Sequence, residues 1–105
     1  MDAYLQVSTT VGTRAEAAQL ADRAVTESFA ATAQVSGPVM IVDRNPYRDT
    51  QREAWQVTLR TTARRYNALE SYLLAEHPDS DPEIWAVSLT GPAACLERLD
   101  RMTLP

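Results

Sequence analysis

Halfway along the chain, Trp55-Gln56-Val57-Thr58-Leu59-Arg60-Thr61-Thr62 changes period. Trp55, Val57 and Leu59 alternate with Gln56, Thr58 and Arg60, the period of two that a half-buried strand shows. Thr61 or Thr62 can then cap a helix, and Tyr66, Leu69 and Leu73 follow at spacings of three and four. A strand that passes into a helix in this way closes a hairpin behind it and opens a crossover ahead of it. Upstream, Ala31 to Val42 is extended and interrupted at Gly37-Pro38. Pro38 cannot donate to a ladder, so a bulge or an edge strand is expected there. Asp43 to Arg52 is polar and holds the turn signal Asn45-Pro46. Residues 31–60 therefore read as one long hairpin.

Downstream, the helix runs to about Glu76 and Pro78 ends it, because the residue before a proline is pushed out of the helical region. The loop His77-Pro78-Asp79-Ser80-Asp81-Pro82-Glu83 leads into a strand from Ile84 to Leu89. Gly91-Pro92 starts a last short helix with Leu96, Leu99 and Met102 as its buried positions. At the other end, Ala3 to Thr9 alternates as a strand, and Thr10-Val11-Gly12 reads as a turn. Thr13-Arg14-Ala15-Glu16 has capping-box spacing. It opens a helix to about Phe29 with Ala17, Leu20, Ala21, Ala24, Val25 and Ser28 facing inward.

The order β-α-β-β-α-β-α over residues 1–105 is that of a single α+β domain of the ferredoxin-like, split βαβ type. Right-handed crossovers put both long helices on one face of the antiparallel sheet. The other face is then expected to be apolar and bare, which predicts oligomerisation through it, with the long hairpin as the arm exchanged between subunits.

Composition narrows the function classes. The chain has 105 residues, 45% of them hydrophobic and 23% charged, and a net charge of -4. Nucleic-acid binding needs a basic face, and the acidic balance argues against it. No apolar run approaches the roughly 20 residues of a membrane span, and the N-terminus lacks a leader pattern. One cysteine allows no internal disulfide. These features predict a cytoplasmic protein.

Ser8-Thr9-Thr10, Phe29-Ala30-Ala31-Thr32, Gly37-Pro38-Val39, Arg60-Thr61-Thr62 with Arg65-Tyr66 and Leu69-Glu70, and His77-Pro78 with Pro82-Glu83-Ile84 follow one another along the chain. In that order they resemble the motifs of the CutA family, the small divalent-cation-tolerance proteins. The resemblance implies a homotrimer similar to the PII signalling proteins. It also implies ligand sites in clefts between subunits, and binding of copper or other divalent ions. The chain departs from the family where aromatic residues are usual: Asp43-Arg44-Asn45-Pro46-Tyr47 in the arm, Asp79 after His77-Pro78, and Cys95-Leu96-Glu97-Arg98 in the last helix. Thr32 stands at a cysteine position.

Several readings of the residues stay open. His77 with Asp79, Asp81 and Glu83 could bind a divalent metal such as copper or zinc, or the loop could be solvated with Glu83 in a structural hydrogen bond. His77 could instead transfer protons, with Asp79 or Asp43 as its partner, and of the loop's carboxylates Asp81 is left to solvent. Arg60, Asn45, Tyr47 and Glu83 are the candidate ligand-binding residues, Arg60 as the anchor for an anionic group. Cys95 is read as a small buried residue. The leading function is a homotrimeric binding protein for a divalent ion or small ligand. The alternative is an enzyme acting on a small polar metabolite in the same cleft.

Overall fold

The computed structural model describes residues 3–44 and 51–104. Its elements are β1 (Tyr4–Val11), α1 (Arg14–Thr26), β2 (Thr32–Val42), β3 (Gln51–Thr62), α2 (Ala63–Glu76), β4 (Ile84–Ser88) and α3 (Ala93–Met102). The four strands form one antiparallel-paired sheet in the order β2-β3-β1-β4. That is the predicted α+β plan, and α1 and α2 share one core on one face.

Local chemistry sets the boundaries. Thr13 caps α1: its hydroxyl accepts from the Glu16 amide at 3.1 Å and donates to the Glu16 carboxylate at 2.9 Å. The helix ends at Thr26, short of Phe29. Ser28, at φ 62°, turns the chain into the left-handed region, and the Ser28 and Phe29 amides donate back to the Val25 and Ala24 carbonyls. This is the bonding of a Schellman end, with serine where glycine is usual. Val25 therefore lies on the flank of the buried stripe and is exposed, while Ala17, Leu20, Ala21 and Ala24 are buried. Thr62 caps α2, its hydroxyl accepting from the Arg65 amide at 3.3 Å. Leu69, Tyr72 and Leu73 are the buried residues of that helix. Thr10 and Val11 continue β1, because both pair with β3.

The hairpin is longer than the sheet it belongs to. β1 pairs with β3 only as far as Val11 opposite Trp55, whereas β2 and β3 continue together to Val42 opposite Gln51. Val39–Val42 and Gln51–Ala54 thus form a two-stranded arm beyond the helix-covered sheet. The register shifts between Ser36 and Val39, where the Gly37–Pro38 peptide is cis, so the expected bulge is present and β2 is an edge strand.

The open face differs from expectation. Alternation from the buried Val7, Val57 and Leu59 puts Gln6, Ser8 and Thr10 of β1 and Gln56, Thr58 and Arg60 of β3 on that face. The two central strands therefore present polar groups there. Exposed apolar side chains gather at the margins: Trp85 and Val87 on β4, and Met40 and Val42 on the arm. The last helix packs against β3 and is held by Tyr4, whose hydroxyl donates to Asp100 at 2.7 Å. Only Leu99 of α3 is buried; Met102 is exposed rather than in the core.

Candidate functional site

His77 follows the last turn of α2, its amide donating to the Leu73 carbonyl at 2.9 Å. The residue is buried, 8% exposed. Nε2 lies 2.9 Å from the Thr9 hydroxyl, and that hydroxyl lies 2.7 Å from the Glu83 carbonyl. A carbonyl only accepts, so Thr9 donates its one proton to Glu83 and must accept from His77 Nε2–H. On the other side of the ring, Nδ1 accepts from the Asp79 amide at 3.0 Å. The network assigns a neutral imidazole protonated on Nε2. Both nitrogens are engaged, so in this arrangement the ring offers a ligand neither a lone pair nor a proton. It ties the end of α2 to β1 and to the start of β4.

That staple positions the carboxylates. The loop after His77 meets the end of β1 and the outer part of the arm around a recess of about 140 Å³. Thr10, Asp43, Arg52, Asp79, Asp81 and Glu83 line it. Four carboxylates and one guanidinium leave it negative in balance. Arg52 pairs with Asp43 at 3.6 Å, each side chain about one third exposed. Asp43 Oδ1 and Arg52 Nε are shielded from solvent without a hydrogen-bond partner among the described residues. Glu83 also accepts, at 3.5 Å, from the Trp85 indole.

Asp43 and Asp79 thus share a cleft, as their sequence context suggested, but His77 is not presented to it. Asp81, expected to face only solvent, joins the lining. Arg60 does not: it sits at the far end of β3, where Nε donates to Gln6 at 3.4 Å, and Arg52 is the cation of the recess. Thr32, at the family's cysteine position, pairs with Arg60 and is likewise remote from His77. Asn45 and Tyr47 lie outside the described residues. Cys95 is exposed, not buried. Arg64 and Arg65 are structural, donating to Thr103 and to the Ser28 carbonyl. No group of three His, Cys, Asp or Glu side chains among the described residues converges closely enough to chelate a metal ion. Thr10 was missed because strand pairing, not spacing, brings it to the recess. Asp79, Asp81 and Glu83 line it together, as their alternation in the sequence allowed, without His77.

The sequence matches the profile of the CutA1 divalent ion tolerance protein family over residues 5–99. The chain belongs to the CutA1 family. Among curated proteins none matches it. Its fold is similar to that of CutA from Synechococcus elongatus PCC7942, with a TM-score of 0.91 at 26% identity, covering 99% of this chain and 93% of that one. A second structure of the Synechococcus protein, complexed with a Bis-Tris molecule, has a TM-score of 0.84 at 25% identity, with 97% and 95% coverage. CutA1 from Ehrlichia chaffeensis shares the fold at a TM-score of 0.91 and 16% identity, with 100% and 99% coverage.

Proposed function

We propose that this CutA1 chain is a binding protein for a divalent cation or a small cationic ligand, taken up in the carboxylate recess between the arm and the loop after His77. The convergence of Asp43, Asp79, Asp81 and Glu83 around a single arginine carries the reading. A site with that balance attracts positive charge, and Thr10 adds a neutral hydroxyl. Among the described residues no three-ligand set is assembled within one chain. A metal ion would therefore keep part of its water shell, as hard divalent ions readily do, or complete its coordination from a second subunit.

The homotrimer belongs to the same proposal. Two edge strands, a projecting arm and the exposed Trp85, Val87, Met40 and Val42 are what a copy of the chain would cover, and the recess lies beside that arm. The alternative of acid–base catalysis requires a proton-transfer group, and the engagement of both His77 nitrogens favours binding over it. The cytoplasm is the compartment this reading assumes.

Light scattering of the purified chain is expected to give a trimer mass. Calorimetric titration with Mn²⁺, Zn²⁺ and Cu²⁺ should show saturable binding to at least one. Asp43→Asn with Asp79→Asn should weaken that binding about tenfold or more, since two charge contacts are removed. Full binding by the double variant, or a monomer mass at all concentrations, would overturn the reading.

A further inference from the structure

At the opposite end of the sheet, α3 leaves a cavity of about 360 Å³ between itself, the start of β2 and the loop after β4. This volume falls within the range of small-molecule sites. The wall is apolar where Leu89, Leu96, Leu99 and Met102 meet, and Arg60 and Arg98 also line it. Neither arginine forms an ion pair among the described residues, and no carboxylate lines the cavity. The acidic groups of α3 stay out of the lining: Asp100 accepts from Tyr4 at 2.7 Å, and Glu97 is not among the lining residues. The first turn of α3 adds to the positive character. It holds no acidic residue, and Pro92 supplies no side-chain cap. In a chain of net charge -4 this local balance is the reverse of the whole.

We infer that this cavity binds a small amphipathic monocarboxylate, its carboxylate at Arg60 and Arg98 and its aliphatic tail along Leu96, Leu99 and Met102. Guanidinium groups match carboxylate geometry, and an apolar wall beside them selects for a tail rather than a bare anion. The same wall explains why Met102 and Leu96 are not core residues: they line the cavity. The site is independent of the carboxylate recess, which takes the opposite charge.

The test uses the full chain and the series acetate, butyrate and hexanoate, with hexanamide as the neutral partner of the last. Hexanoate should shift the backbone amide resonances of Ala93, Ala94 and Cys95 saturably. Affinity should rise about two- to fourfold per added methylene, and hexanamide should bind at least tenfold more weakly. Arg98→Gln and Arg60→Gln should each weaken hexanoate about five- to tenfold, with melting temperatures confirming that both variants fold. Cys95 lines the cavity, so saturating hexanoate should slow its alkylation by iodoacetamide. Equal binding of hexanamide, or of acetate, would overturn the proposal. So would a Cys95 that resists alkylation in the ligand-free protein, since a second copy would then cover the cavity.

Discussion

Replacing Thr9 with valine tests the histidine staple directly. Valine keeps the shape of threonine and removes one hydroxyl. Thr9 is 3% exposed, and its hydroxyl bonds both to His77 Nε2 and to the Glu83 carbonyl. Glu83 lies at an exposed position, so its carbonyl can turn to water. The His77 N–H is buried and cannot. One buried donor left without a partner costs about 1–3 kcal/mol. At about 4–8 °C per kcal/mol for a domain near this size, Thr9→Val should melt roughly 4–24 °C lower. Urea denaturation at a fixed protein concentration gives the energy, since any assembly makes stability concentration-dependent. Thr9→Ser, which keeps the hydroxyl, should lose less. A cycle with His77→Phe should give a coupling of about 1 kcal/mol or more, because both changes remove the same contact. Nitrogen chemical shifts should place the His77 proton on Nε2. A Thr9→Val cost under about 0.5 kcal/mol, strict additivity with His77→Phe, or a proton on Nδ1 would each show that the staple is not built as described.

Three further outcomes follow from the fold. Gly37 has φ +151°, and a Cβ there would sit 2.9 Å from the Trp55 ring. Gly37→Ala should therefore cost about 1–3 kcal/mol and change Trp55 fluorescence, and a wild-type melting curve would contradict this. Ser28 holds a left-handed conformation at the end of α1, so Ser28→Gly should stabilise by about 0.5–1 kcal/mol, whereas a loss would mean that the serine side chain matters there. A hydrogen bond to Glu70, reinforced by burial and the carboxylate charge, pushes the Tyr66 hydroxyl up to about 12. The folded value lies above the unfolded value near 10, so this stabilisation is complete below pH 10 and vanishes as pH rises toward 12. Ultraviolet titration should show that late-ionising tyrosine, and Glu70→Gln should bring it down; an unchanged curve would disprove the contact.

Element order, both helix caps and the bulge were legible in the residues because each is a local matter. Thr13 and Thr62 each bond the amide three positions on, and alternation at Trp55, Val57 and Leu59 marks a face without reference to any other strand. The site was half legible. Asp43 and Asp79 stood out by context, and they do share a recess. The role of His77 was hidden because Thr9, its partner, is 68 residues away. Asp81 and Arg52 join the recess only once the arm and the loop are set side by side.

By itself, then, the sequence determined the ferredoxin-like plan and the CutA1 likeness, because periodicity, caps and short motifs act within a few residues. The tertiary structure alone decided that the only histidine is a staple. It also decided that the open sheet face is polar at its centre, and that carboxylates gather at one end of the sheet and Arg60 and Arg98 at the other. These are facts of pairing across the sheet. A hydrogen bond or a charge takes its meaning from the group opposite, and the register of β1 against β3 and β4 chooses that group.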